Sequence, residues 1–250
     1  MQGLRESLPC ESAFNRRVKS FTLDYKESHL KVFCDKKLKE KALEKTIELY
    51  GSLEKFIQKN PMFLISYTPV KVSKTAPRIV RYMAQASKKV GVGPMAAVAG
   101  ALAEGVGTHL LKEGAGEVVV ENGGDIFLKL KKERLVGVHA GSSVWSNKLA
   151  FKVKPKETPL GICTSSATVG PSINLGKADA ITVVAKSAAL ADAAATAIGN
   201  KVKGEKGLEK AMEVGKKIKG VKGFLIIRGD KLAIAGRIPE LVKKRFEVKR

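Results

Sequence analysis

The order of hydrophobic periods in this 250-residue chain predicts an α+β fold, with antiparallel or mixed sheets and helices packed on them. Three observations lead there. An alternating hairpin followed by helical patterns opens the chain, a run of short strands fills its middle, and two helices and a second hairpin close it. A doubly wound parallel sheet would alternate strand and helix throughout.

Taken in order, "VKSFTLDY" and "HLKVFCD" alternate apolar and polar side chains around "KES", which predicts a β-hairpin over residues 14–35. A helix is expected over 36–59, where Leu38, Ala42, Leu43, Ile47, Leu49, Leu53, Phe56 and Ile57 recur at helical spacing, and Asn60-Pro61 ends it. Residues 61–77 read as extended and turn-rich, and 77–89 as a second helix. "GVGPMAAVAGALAEGVGTHLLKEG" then predicts a helix over 94–113, with Pro94 in its first turn and Gly114 at its end. From residue 114 the period changes to two: "GEVVVENGG", "DIFLKLK", "RLVGVHAG", "KLAFKVK", "LGICTSS" and "DAITVVAKS" read as strands. An Ala-rich helix, "AALADAAATAIGNKV", follows, with Asp192 placed in its first turn. A helix near 205–218 and the hairpin "GFLIIRGDKLAIAG", turning at Gly229-Asp230, complete the chain. No segment has the composition of a flexible linker, so 1–250 reads as a single domain.

Composition bounds the function. With 44% apolar and 28% charged residues the chain is globular, and no apolar run is long enough to cross a bilayer. The first thirty residues hold no signal-peptide core, so a cytoplasmic location and no membrane partner are expected. Cys10, Cys34 and Cys163 form no CxxC pair, and His29, His109 and His139 are far apart, which argues against a zinc site. The net charge of +22 invites a nucleic-acid reading. The cations mix with glutamates on helical faces such as "CDKKLKEKALEKTIELY", and no nucleic-acid-binding signature is present, so a Lys/Glu-rich surface of thermophile type is the preferred reading. Attraction for anionic metabolites holds under either.

Four small-residue segments are where backbone can meet a ligand. Gly91 and Gly93, leading into Pro94 and Met95, put a flexible loop before a helix start, where free N–H groups and the dipole favour phosphate; a tight packed turn is the competing reading. Asn122, Gly123, Gly124 and Asp125 form a sharp strand-to-strand turn. Thr164, Ser165 and Ser166 offer hydroxyls and backbone donors, without the lysine of a P-loop or the spacing of a hydrolase nucleophile elbow. Asp192 and Thr196 stand four apart on one helix, so a carboxylate and a hydroxyl project together, as a hard cation such as Mg²⁺ requires. An aspartate acting on the helix dipole is the alternative.

In order, "VVVENGGDIFL", "GICTSSATVG" and "DAITVVAKSAALADAAATAIGN" resemble the "GGD", "TSG" and "SVTV…ADALATA" segments of the ApbE-like superfamily, best known for FAD:protein FMN transferases. Upstream, "GPMAAVAGALAEGVGTHLL" is similar to a stand-alone branch of that superfamily found in archaea and anaerobic bacteria. The resemblance implies a duplicated T-fold-like α+β arrangement, with Mg²⁺ and a flavin nucleotide, FAD or FMN, or another phosphorylated small molecule, as ligands. Asp192 and Thr196 match the family's metal-binding aspartate and threonine. An accessory, non-catalytic role in anaerobic sulfur assimilation is the other function associated with the branch. Two departures follow from the same comparison. The transferases carry a His-Ile-Ile-Asp-Pro stretch with a catalytic histidine, whereas this chain has "SATVGPSINLGKADA", with Pro171 where a histidine is expected and Asp179 as the replacement base. They also carry a lysine in "AKG" where this chain has Glu104. Domains of this type pair through sheet edges, so a homodimer is the expected assembly.

Overall fold

The computed structural model describes residues 18–166 and 176–244. The opening hairpin is β1 (Lys19–Tyr25) and β2 (Ser28–Cys34). Helices α1 (Lys39–Lys59), α2 (Met62–Ile65), α3 (Arg78–Val90) and α4 (Val98–Lys112) follow, the last entered through a 3₁₀ turn at Pro94–Ala97. Strands β3 (Val118–Asn122), β4 (Asp125–Lys129), β5 (Arg134–Val138), β6 (Leu149–Val153), β7 (Leu160–Ser165) and β8 (Ala180–Ala185) come next. Helices α5 (Ala188–Gly199) and α6 (Gly207–Lys217) lead to β9 (Val221–Arg228), β10 (Lys231–Gly236) and β11 (Glu240–Lys243).

Eight strands form one antiparallel sheet in the order β1-β2-β3-β4-β7-β8-β9-β10. The sequence hairpin, helices, hairpin occurs twice in it: β1-β2, α1 to α4, β3-β4, then β7-β8, α5-α6, β9-β10. This is the duplicated arrangement that the family resemblance implies. The two halves join where β4 pairs with β7. Strands β11, β6 and β5 form a second antiparallel sheet.

Side chains alternate across the large sheet, so each strand feeds two cores. Val120, Phe127, Cys163, Val183 and Phe224 face the helices. Val119, Ile126, Ile162, Val184 and Leu225 face Val136, Val138 and Phe151 of the small sheet. The molecule is therefore three layers deep, with the large sheet in the middle. Burial on both faces explains why β3, β7 and β8 read as apolar runs rather than clean alternations.

Several sequence expectations need adjusting. In α1 the buried stripe is Ala42, Thr46, Leu49, Tyr50 and Leu53, which leaves Leu43 and Ile47 exposed at 37% and 44%. Thr46 turns its hydroxyl onto the Ala42 carbonyl (2.7 Å) and Tyr50 hydrogen-bonds Ser28 (2.6 Å), so both polar groups are satisfied inside. The stretch after Pro61 contains the single helical turn α2, held by Phe63, which is fully buried. Asp192 lies in the second turn of α5, because the helix starts at Ala188 under a Ser187 cap. Strand β11 is hidden in the sequence by its brevity and by the charged residues at its two ends, Glu240 and Lys243. No single helix among the described residues is long and apolar enough to cross a membrane.

Helix α5 lies between the large sheet and the other helices, and nearly all its residues are buried. Only small side chains fit there. At the α4 crossing, a Cβ on Gly100 would stand 2.3 Å from the Ala188 carbonyl oxygen and 2.9 Å from the Asp192 Cβ. Gly51 on α1 meets nothing within 4 Å. Gly100→Ala is therefore expected to destabilise by about 1–3 kcal/mol through overpacking, and Gly51→Ala to stabilise by about 0.5–1 kcal/mol through helix propensity. Thermal melts of the two variants check this through opposite shifts in Tm.

Candidate functional site

Helix α4 has no side-chain cap of its own. Asp192, from α5, supplies it: Gly100 N–H donates to Asp192 Oδ2 at 2.9 Å. The favour is returned at the other helix. Glu104 Oε2, from α4, accepts from the Ser187 hydroxyl (2.8 Å) and from Ala189 N–H (3.3 Å) at the start of α5. Each helix thus ends its orphan N–H groups on a carboxylate of the other, where the dipole favours negative charge.

This junction sits against one end of the large sheet. Gly123 (φ +62°) and Gly124 (φ +99°) form the two-residue turn between β3 and β4, a conformation that favours glycine at both positions. Asn122, buried beside it, donates to Ser28 Oγ (3.2 Å) and to the Ala99 carbonyl (3.4 Å), tying the turn to the start of α4. Asp125 pairs across the ladder with Cys163, and Thr164 N–H reaches the Gly124 carbonyl at 3.3 Å. Asp125 and Asp192 therefore meet under the α4–α5 crossing.

Their electrostatics follow from that burial. Desolvation pushes Asp125 well above the usual carboxylate range, the charge of Asp192 adds to it, and hydrogen bonds from Cys163 and Thr164 oppose it. Asp192 as a residue is half-buried, but its carboxylate is enclosed in the helix crossing, and burial raises its pKa to about 7 against the pull of the Gly100 and Ala99 N–H groups. Cys163 is raised well above its ordinary value by burial and then by the two carboxylates, and its single thiol proton is shared between Asp125 and the Ala188 carbonyl, 3.3 Å from Sγ. It is a structural thiol, not a thiolate nucleophile. Two mutually repelling carboxylates with the Thr196 hydroxyl on the same helix face offer hard oxygen donors, and a dication would relieve the repulsion. Among the described residues no cluster of three or more His, Cys, Asp or Glu could hold a metal. The donor set thus fits Mg²⁺ completed by a ligand's oxygens rather than a cation caged by protein alone.

Ser165 and Ser166 are buried at the end of β7, next to Thr164, whose hydroxyl bonds that of Thr182 (2.9 Å). Gly91 is the left-handed cap of α3. Gly93 is pressed against the Ser66 carbonyl, Pro94 is buried at the 3₁₀ entry, and Met95 packs on the helical core. These four shape the corner into α4. The residues of the small stretch that touch the turn and Asp192 are Ala99 and Gly100, which sequence reasoning missed. Asp179 accepts from Gly229 N–H (2.6 Å) and so holds the β9–β10 turn. His139 bonds within its own loop, to Asn147 and Ser146 (3.3 Å each). That loop docks on the same β9–β10 turn through Ser143 to Gly229 (2.7 Å) and Trp145 to Asp230 (2.8 Å). Pro171 lies outside the described residues. Glu104, which stands where the transferases have a lysine, is the sole Asp, Glu, Lys or Arg between Lys89 and Lys112, the mark of a charge with a buried task.

A cavity of about 330 Å³ opens on the outer side of α4, between α1 and α3. Lys45, Arg78, Tyr82 and Lys112 stand at it, with Glu104 shared between the cavity and the junction. None of the other sequence-predicted site residues lines it.

The family model described as AbpE bacteria matches residues 11–217. The chain belongs to this ApbE-like family. Among relatives of this ApbE-like protein, a UPF0280 protein of Methanocaldococcus jannaschii is 47% identical over 214 residues, spanning 84% of this chain and 86% of its own. A UPF0280 protein of Methanococcus vannielii is 42% identical over 226 residues, spanning 88% and 92%. Among solved structures, the apo flavinyl transferase ApbE of Pseudomonas stutzeri aligns with a TM-score of 0.58 at 16% identity, over 90% of this chain and 96% of that one. The ApbE protein of Thermotoga maritima aligns at 0.55 and 12%, over 87% and 97%. At such identities the likeness is one of fold.

The raised pKa of Asp192 sets a pH dependence. A carboxyl that titrates near 7 when folded and near 4 when unfolded holds a proton in the folded state that the unfolded state has released, so its contribution to stability is present at pH 4 and lost as pH rises toward 7. In the presence of EDTA, wild-type protein should lose more stability between pH 4 and 7 than Asp192→Asn, whose amide does not titrate. Urea melts across that range provide the measurement, and parallel curves would contradict the assignment.

Proposed function

We propose that this ApbE-like protein binds a flavin nucleotide, or a related phosphorylated cofactor, together with Mg²⁺ at the junction of α4, α5 and the β3–β4 turn. The observation that carries the reading is the meeting of Asp125 and Asp192 beneath the helix crossing, with Ser165 on the Cys163 face of β7, in a chain of this family. Asp192 and Thr196, with Asp125, would hold the cation, which when bound neutralises phosphate charge. Ser165, Ser166 and the backbone of the Asn122–Asp125 turn would donate to phosphate oxygens. Mg²⁺ gives up its waters reluctantly, so one or two carboxylates make a weak site until a phosphate completes it. Support for the flavin comes from the structural likeness to a flavinyl transferase.

Calorimetry with Mg²⁺ plus FAD or FMN tests the assignment. Wild type should bind the nucleotide only with Mg²⁺, and Asp192→Ala should lose that binding. Asp192→Asn, which can still accept from Gly100 N–H, separates loss of the cation from loss of the helix cap. Unchanged binding in both variants would overturn the metal site.

Transfer of FMN to a protein threonine at the rate of the relatives is not expected. The threonine hydroxyl needs a base in hydrogen-bond reach, a contribution of roughly 10²- to 10⁴-fold in rate. Asp179 has its carboxylate on Gly229 N–H and His139 is bonded within its loop, so neither is poised as a free base. A mass-shift assay with FAD, Mg²⁺ and a threonine-containing peptide should show slow or no flavinylation. Rapid modification abolished by Asp179→Asn but not by His139→Ala would reverse this conclusion.

A further inference from the structure

The positive charge is less evenly distributed than the Lys/Glu mixture of α1 and α6 implies. Between Glu54 and Glu104 the chain has eight Lys or Arg and no Asp or Glu. Within that stretch three side chains of α2 and one just after it are exposed and apolar: Met62, Leu64, Ile65 and Tyr67 are 58%, 49%, 61% and 68% exposed. The turn is anchored. Phe63 is fully buried and packs edge-on against Phe56 with ring centroids 5.2 Å apart. Ser66 lies hard against Gly93 and closes a local turn, its hydroxyl donating to the Thr68 carbonyl at 2.8 Å. Lys59, Lys71 and Lys74 flank the apolar tip in sequence and are exposed. Among the described residues they make none of the ion pairs that neutralise lysines on α1, such as Lys41–Glu44 and Lys45–Glu48.

We propose that this face docks the protein on an anionic membrane surface, with Met62, Leu64, Ile65 and Tyr67 entering the headgroup–acyl boundary and Lys59, Lys71 and Lys74 meeting lipid phosphates. Four large apolar side chains exposed within six residues favour an apolar phase, and the exposed lysines that flank them in sequence favour an anion; a bilayer of anionic lipid supplies both at one plane. Tyrosine, apolar in body and polar at its tip, suits that boundary. A second copy of the chain would bring another acid-free stretch against this one, and the like charges repel. A nucleic acid would satisfy the lysines while leaving Met62, Leu64 and Ile65 in water. The sequence expectation of no membrane partner rested on the absence of a spanning run, which peripheral attachment does not require.

Co-sedimentation of the full chain with phosphatidylcholine vesicles, and with vesicles containing equal phosphatidylglycerol, tests the proposal. Binding is expected to the anionic vesicles alone and to fall as salt is raised. The exposed pair Leu64→Glu with Ile65→Glu should abolish it. Lys71→Glu with Lys74→Glu should weaken it by at least about twenty-five-fold, from roughly five-fold per lysine removed. Circular dichroism establishes that the variants fold, and Met62→Gln with Tyr67→Ser replaces the first pair if it does not. Absence of sedimentation with either vesicle, or binding that survives loss of the apolar tip, overturns the proposal. So does retention of single-stranded DNA that is lost in the lysine variant and kept in the Leu64/Ile65 variant, which would assign the face to nucleic acid.

Discussion

Two helices of this protein hold each other by their N-termini. Asp192 on α5 receives the orphan N–H of α4 at Gly100, and Glu104 on α4 receives Ser187 and Ala189 at the start of α5. Much of the surrounding architecture follows from that exchange. For each carboxylate to reach the other helix's first turn the backbones must nearly touch, so position 100 has no room for a side chain. Helix α5 is walled in by the sheet on one side and by helices on the others, which leaves alanine as its main building unit. A buried carboxylate left without a donor would be costly, and here the helix ends provide the donors.

The same exchange places the candidate site. Asp192 is drawn to the crossing by the α4 N–H groups, and the β3–β4 turn is tied to the α4 start through Asn122 and Ala99, so Asp125 arrives under Asp192. Two acids crowded together away from water are strained as a charged pair. Holding a proton relieves it, and this makes the junction sensitive to pH. Glu104 is then no simple loss of a phosphate-binding lysine. A carboxylate at that position caps α5, a task for which an ammonium, which has only donors, is unsuited.

Charge is partitioned across the molecule as well. The three acids that matter most for the junction, Glu104, Asp192 and Asp125, come from α4, α5 and the β4 start, whereas the stretch from Lys55 to Ala103 carries cations alone. Elsewhere lysines and glutamates pair along helix surfaces, and such exposed pairs contribute little to stability. An interior ion pair joins Glu117 to Arg134 at 2.8 Å, which ties the start of β3 to β5 and so fastens the small sheet to the large one.

The sequence by itself determined the element order, because helical and strand periods report which faces meet a core, and it determined family membership through the "NGGD" and "ADAAAT" segments. It also marked Asp125, Asp192 and Thr196, whose residue types and spacing are visible in one dimension. What it left open was every relation between distant segments. Leu43 and Ile47 fit the helical stripe as well as Thr46 and Tyr50 do, and only the Ser28 hydroxyl and the packing of α1 decided which face turned inward. Gly91 and Gly93 read equally as a phosphate loop or a packed corner, and the Ser66 backbone, some thirty residues away, decided for packing at Gly93. Glu104 and Gly100 looked incidental because their partners, Ser187 and Asp192, lie more than eighty residues on. Local pattern records solvent contact along one element; hydrogen bonds and backbone clearance between elements exist only once the chain has folded.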